Sequence, residues 1–259
     1  MITYVVSLER NKDRRAFMEK QLAGQGIDFR FLNAFDGKNL NSVKKICISN
    51  GLKLTLDSNC GSSGLTNEEI GCALSHLLVY QKMVDDDVNV ACVLEDDVEL
   101  TPGFVDIVTS PALLHGKWEL LLLGHYSSHR KSRALGGEIR YLRRKVVPGY
   151  CIGQPVEFCY SAVGYILKNA AARKMLQYAQ PVRMPADHVT ANSVASGVRL
   201  YALTPTCVLP TWKFKSTIPG RKRNPPKKYS VLRFPLVLKK FGIMSNSYVR
   251  SSGRYGVKS

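Results

Sequence analysis

The sequence has little that would settle its class at a glance. No stretch approaches the roughly 18 apolar residues that a membrane-spanning helix needs. The seven cysteines (Cys47, Cys60, Cys72, Cys92, Cys151, Cys159 and Cys207) are odd in number, and no two stand in CxxC spacing. That pattern argues against a disulfide framework and against a zinc site, so a reducing compartment is expected. Cys72 and Cys92 lie in apolar runs, where a free thiol behaves as a small hydrophobe. Neither GxGxxG nor GxxxxGK[ST] occurs, which excludes the dinucleotide fingerprint and the P-loop. The opening MITYVVSLERNKDRR has no basic segment ahead of a long apolar one, and charge arrives at Glu9, so it does not resemble an export signal. Acid also runs out early. Asp187 is the last carboxylate side chain, and residues 188–259 hold 14 Lys and Arg with no Asp or Glu.

What remains is a chain of 259 residues, 45% hydrophobic, long enough to bury a substantial core. Most of its net charge of +17 sits behind Asp187, so the front is nearly balanced and the back is a cationic module. Such asymmetry points to a polyanionic surface, either nucleic acid, phospholipid head groups or an acidic glycolipid, or else to a solvated tail.

The hydrophobic pattern predicts an α/β fold with a mostly parallel sheet. Ile2 to Leu8 has strand composition, and a helix follows through Arg14, Met18 and Leu22, with Asn11 as its expected cap. Phe29 to Leu32 is a second strand, and strand–helix–strand spacing of this kind marks a parallel βαβ unit. Thr66 and Glu69 form a capping box ahead of a helix running to Met83. Strands are expected at Asn89–Leu94, Trp118–Leu123, Phe158–Leu167 and Arg199–Leu203. Helices are expected at Ala170–Tyr178, capped by Asn169, and at Ala186–Ala195. Residues 125–156 suggest a loop or small hairpin near the site. After Pro210 the composition turns Pro- and Lys-rich, and VLRFPLVLKKFGIM mixes apolar and basic residues.

Four constellations carry chemistry. An apolar strand delivers Glu95-Asp96-Asp97 at its carboxyl end, where ligands gather in open α/β sheets. Three adjacent carboxylates repel unless a cation or donors offset them, and hard oxygen ligands suit Mg²⁺ or Mn²⁺ bridging to phosphates. Strand alternation would put Glu95 and Asp97 on one side, near a metal, and Asp96 on the other, toward a donor sugar or ribose. The alternative is an acidic surface loop. The second constellation is the first βα turn, where Ser7, Leu8, Arg10, Arg14 and Arg15 surround a helix amino terminus suited to phosphate. A solvated helix face explains the same residues. Third, Cys72 and His76 share a helix face, although an isolated histidine on an apolar helix is commonly a satisfied core residue. Fourth, Asp187 opens a predicted helix beside His188. It fits a helix cap, a general base for an acceptor hydroxyl, or a metal ligand with His188.

Six segments together resemble glycosyltransferase family 25, the lipooligosaccharide enzymes that also include collagen galactosyltransferases. They are VVSLERNKDRR at 5–15, FLNAFDGK at 31–38, EIGCALSH at 69–76, VLEDDVEL at 93–100, GYILKNAAARKML at 164–176 and PADHV at 185–189. The resemblance implies a GT-A-like nucleotide-sugar fold over residues 1–210, inverting chemistry, a UDP-sugar donor, galactose transfer and a Mn²⁺ or Mg²⁺ cofactor. It implies donor-pocket roles for Asp36 and His76 and strengthens the metal assignment of the triplet. The expected acceptor is lipooligosaccharide or another glycolipid. The basic segment 211–259 falls outside the match and is expected to hold a cytoplasmic protein peripherally on the anionic inner membrane. No nucleic-acid partner is expected, because three carboxylates at a strand end would repel phosphate. A nucleic-acid-binding protein and a metal-dependent phosphoesterase are the rival classes. The dehalogenase-type pattern that the latter needs is not supplied by EDDVEL.

Overall fold

The computed structural model describes residues 1–39, 64–127, 141–155, 158–211 and 213–218. The expected amphipathic run at 231–244 and the unassigned stretch 41–63 lie outside the described residues.

The chain opens as read. Strand β1 (Ile2–Ser7) leads into α1 (Lys12–Gly24) and returns as β2 (Phe29–Asn33), parallel to β1 from Thr3–Phe29 to Ser7–Asn33. Helix α2 (Asn67–Asp85) starts on the capping box, with Thr66 accepting from the Glu69 amide and the Glu69 carboxylate accepting from the Thr66 amide. Strand β3 (Val90–Glu95) lies parallel to β1 on its other side. The rest runs through β4 (Val98–Leu100), α3 (Phe104–Thr109), α4 (Pro111–Leu114), β5 (Leu120–Leu122) and β6 (Tyr126–Ser127). A hairpin of β7 (Tyr141–Val147) and β8 (Tyr150–Gln154) follows, then β9 (Cys159–Tyr160) and β10 (Gly164–Lys168). The last elements are α5 (Asn169–Tyr178), α6 (Ala186–Ala191), α7 (Ser193–Ser196), β11 (Leu200–Thr204) and β12 (Val208–Pro210).

Eight strands form one sheet in the order β2-β1-β3-β10-β5-β11-β8-β7. Pairing directions leave six strands pointing one way, with β10 and β8 reversed. The expected α/β fold with a mostly parallel sheet is therefore present, and a reversed strand stands at its centre.

Three local expectations are corrected. The strand expected at Phe158–Leu167 divides, because the chain turns at Ser161, whose hydroxyl accepts from the Val163 amide at 3.3 Å. Asn11 makes no side-chain cap on α1. Asn169 is the first residue of α5 rather than its cap, and its amide donates to the Met83 and Val88 carbonyls.

The sheet is covered on both faces, so its strands are near-continuous apolar runs with a period of two. Tyr4, Val6, Val93 and Tyr165 pack with Leu74, Leu77 and Tyr80 of α2. Val5, Cys92, Leu94 and Ile166 pack with Met18, Leu22, Phe104 and Trp118 on the other side. This alternation aims the site. Following Val93 and Leu94, Glu95 belongs to the α2 face and Asp96 to the α1 face. Close backbone packing fixes the front of α2. A Cβ on Gly71 would stand 2.8 Å from both the Gly37 nitrogen and the Phe35 oxygen, and one on Gly37 would stand 2.1 Å from the Asn67 oxygen. Only glycine allows the loop after β2, with its Asp36, to lie against that helix.

Candidate active site

The acidic triplet sits where β3 gives out. The strand ends at Glu95, and the backbone bends at Asp96 and Asp97 before β4 resumes at Val98. Because of this bend, simple alternation fails for Asp97. Asp96 is 6% exposed and faces the first βα turn, as the period of two requires. Its Oδ2 accepts from Ser7 Oγ at 2.7 Å and Asn11 Nδ2 at 3.2 Å, and its Oδ1 from Arg14 Nη1 at 2.7 Å. Asn11, expected to cap α1, is drawn instead to this stronger, charged acceptor. The same Nη1 donates to Asp97 Oδ2 at 2.9 Å. One guanidinium therefore serves two carboxylates, and Asp97 leans toward α1 rather than sharing a side with Glu95.

Glu95 turns to α2. Its Oε1 is 3.6 Å from His76 Nε2 and 4.0 Å from Cys72 Sγ. Cys72, His76 and Glu95 bring potential ligand atoms within 4.8 Å of one another, and no other such grouping of three occurs among the described residues. Asp187, in the first turn of α6, is half-buried. Helix α6 packs on α2 and β9. Burial, then Glu95, Asp187 and Asp97, raise the Cys72 thiol well above its ordinary value, so all three carboxylates act on one spot. Burial and the neighbouring Glu95 push the Asp97 carboxyl up to about 6, and Arg14 only partly opposes them.

The remaining candidates are distributed around this corner. Arg10 is ion-paired with Asp36. Arg15 donates to the Ser7 carbonyl at 3.0 Å and to Asn33 Oδ1 at 2.5 Å, with its guanidinium over Phe31, so it ties the ends of β1 and β2. The Leu8 carbonyl accepts from the Asn11 amide at 3.0 Å and shapes the turn. His188 packs on Tyr160, ring centroids 5.0 Å apart, on the flank of α6. Two partners escaped the sequence. Tyr165, on the reversed strand, holds His76 Nδ1 at 2.8 Å. Lys215, from the start of the basic segment, accepts from Arg14 Nη2 through its carbonyl at 2.6 Å, while Phe214 packs edge-on against Phe17. Arg10, Asn11, Arg14, Phe214 and Lys215 line an open cleft of about 340 Å³ at the amino terminus of α1, within the size range of ligand sites.

The site thus sets carboxylates at one strand end of an α/β sheet, beside a cleft at a helix amino terminus. The sequence model described as "Glycosyltransferase family 25 (LPS biosynthesis protein)" matches residues 1–190, and the chain belongs to that family. It is 27% identical to "Procollagen galactosyltransferase 2" of Homo sapiens, covering 67% of this chain and 27% of that protein. It is 31% identical to "Probable inactive glycosyltransferase 25 family member 3" of Rattus norvegicus, covering 71% of this chain and 31% of that protein. The chain thus spans under a third of the length of these curated relatives. Among solved structures, the inositol-1-phosphate CTP transferase of T. maritima aligns with 79% of this chain and 89% of its own, at 10% identity and a TM-score of 0.41. No helix among the described residues is long and apolar enough to cross a membrane.

Proposed function

We propose that this chain transfers a hexose, galactose by preference, from a UDP-sugar to a lipooligosaccharide or related glycolipid, with inversion at the anomeric carbon. The observation that carries this is the run of carboxylates Glu95, Asp96 and Asp97 at the end of β3, beside the cleft at the start of α1. Family membership supports sugar transfer. The description "LPS biosynthesis protein" and the galactosyltransferase relative support the acceptor and the sugar.

The corner fits a divalent cation. Arg14 is shared between Asp96 and Asp97 and only partly offsets the burial and the Glu95 charge that raise the Asp97 carboxyl to about 6. Glu95 and Asp97 would hold Mn²⁺ or Mg²⁺, and His188, next to Asp187 on α6, is proposed as a further ligand. When bound, the ion supplies Lewis-acid stabilisation of a leaving nucleoside diphosphate. The exposed Arg10 side chain and the amide groups at the start of α1 bind and orient the phosphates, while Arg14 is engaged by Asp96, Asp97 and the Lys215 carbonyl. Asp96, taken up by three protein donors, holds Arg14 in place. Asp187 accepts the proton of the attacking acceptor hydroxyl as general base.

A thermal-shift panel of UDP-sugars tests the donor. UDP-galactose with Mn²⁺ at 100 times its Kd is expected to add about 2.7 kcal/mol of stability. Asp187→Asn should keep that shift and lose about 10²- to 10⁴-fold in transfer rate. A protein that no UDP-sugar stabilises, with or without metal, is not this enzyme.

Residues 211–259 are proposed to hold the protein to anionic lipid on the cytoplasmic side, since each basic residue near such a surface contributes about 1 kcal/mol. Deleting residues 221–259 should leave the protein in the supernatant when phosphatidylserine-containing vesicles are sedimented. If the truncated protein pellets with them as before, this segment is not the anchor.

A further inference from the structure

His76 and Glu95 face each other across a gap that neither fills. His76 is 2% exposed. Its Nδ1 meets the Tyr165 hydroxyl at 2.8 Å, which in turn meets the Tyr80 hydroxyl at 3.3 Å. The other ring nitrogen is Nε2. It is buried without a hydrogen-bond partner and stands 3.6 Å from Glu95 Oε1. A buried ring nitrogen without a hydrogen-bond partner is costly, and a cation held between it and the carboxylate would remove that cost.

The distance selects what that is. Two acceptors bridged by one water stand about 4.5 Å apart at ordinary hydrogen-bond lengths, so the gap is too narrow for water. A tetrahedral ion about 2.0–2.2 Å from nitrogen and oxygen sets its ligands about 3.3–3.5 Å apart, which nearly matches. A third ligand is at hand. Cys72 Sγ is 4.0 Å from the same Oε1, one helical turn from His76 on the same face of α2. Tyr165 supplies the outer contact that fixes the orientation of a ligating histidine.

We propose that Cys72, His76 and Glu95 form a site for a divalent ion of the zinc class. A thiolate and an imidazole favour zinc or cobalt over magnesium, which separates this site chemically from an all-carboxylate seat. On binding, the Sγ–H bond breaks, the proton leaves to solvent and the freed electron pair bonds the ion. Glu95 is common to this site and to the proposed donor cation, so zinc here would compete with that cation. That consequence rests on the proposed function, and the binding itself does not.

The test uses the full chain, stripped of metal and titrated with Co²⁺ alone. Expected are one equivalent bound, visible bands of a tetrahedral centre, a near-ultraviolet thiolate-to-cobalt band, and displacement of all of these by Zn²⁺ but not by Mg²⁺. Cys72→Ser should lose the thiolate band. His76→Gln should weaken binding by at least about tenfold, and Tyr165→Phe by about ten- to a hundredfold, each with its melting checked by circular dichroism. A thiolate band that survives in Cys72→Ser, or no cobalt bound at micromolar concentration by the folded protein, would overturn the site. Loss of sugar transfer with cobalt binding intact bears only on the function proposed above.

Discussion

Asp97→Asn is expected to lower sugar transfer by about a thousandfold or more while leaving the chain folded. A cation at a reacting phosphate contributes several kcal/mol, and each 1.36 kcal/mol is about a tenfold change in rate. The substitution keeps an oxygen for Arg14 and removes only the charge. Its effect on stability has a definite sign. Burial and Glu95 raise the folded Asp97 carboxyl to about 6 from an ordinary 3.8, so the fold favours the protonated form. Its contribution is present in full below about pH 4, declines as pH rises, and is lost above about pH 6. At pH 7 the variant should therefore melt no lower than the parent, and near pH 4 the two should converge. Cation and proton also compete for this carboxylate, so cation affinity in the parent should climb as pH passes about 6. A fall in activity accompanied by a large fall in melting temperature would mark Asp97 as structural. Full activity would remove it from the site.

Features legible in the sequence were those that depend on neighbours along the chain. Strand β1, helix α1 and strand β2 follow from apolar runs broken by turn residues. The Thr66–Glu69 capping box spans four residues and forms as written. The acidic triplet sits at a strand end because Val90 to Leu94 is apolar and Glu95 to Asp97 is charged. Features that escaped depend on contacts far along the chain. His76 meets Tyr165 across 89 positions, and Arg14 meets the Lys215 carbonyl across 201. No periodicity records that β10 runs backwards through the sheet, yet this reversal places Tyr165 behind His76. Asn11 and Asn169 show a related failure. Both stand where a cap is expected, and both are claimed by stronger partners from other elements, a carboxylate for one and two carbonyls for the other. Arg10 and Asp36 were each singled out for a ligand, and the fold pairs them with each other. Cys72 suggested a small core hydrophobe, and only the position of Glu95 places it beside a carboxylate.

Arg14→Ala is expected to cost about 3 kcal/mol of stability, near the lower end for breaking a buried ion pair. Arg14 and Asp96 are each 6% exposed, and removing the guanidinium strands a carboxylate that water does not reach freely. Ser7 and Asn11 still donate to it, which keeps the loss from being larger. For a chain of this size the change corresponds to a fall in melting temperature of about 6–12 °C. Asp96→Asn in the same chain should recover part of the loss, because the stranded group is then neutral. Residues that share a hydrogen-bond network couple by about 0.5–3 kcal/mol, so the double variant should be more stable than the two single losses added together. A variant that melts within a degree of the parent would mean that the pair does not hold this corner. Arg14 also contributes the attraction that lowers the Asp97 carboxyl. Without it Asp97 should ionise at higher pH, and cation uptake should move upward with it. Asp96→Asn alone leaves Arg14 on Asp97 and removes a neighbouring negative charge, so it should move Asp97 the other way, to lower pH. The two variants thus separate the charge that steadies the turn from the charge that readies Asp97 for a cation.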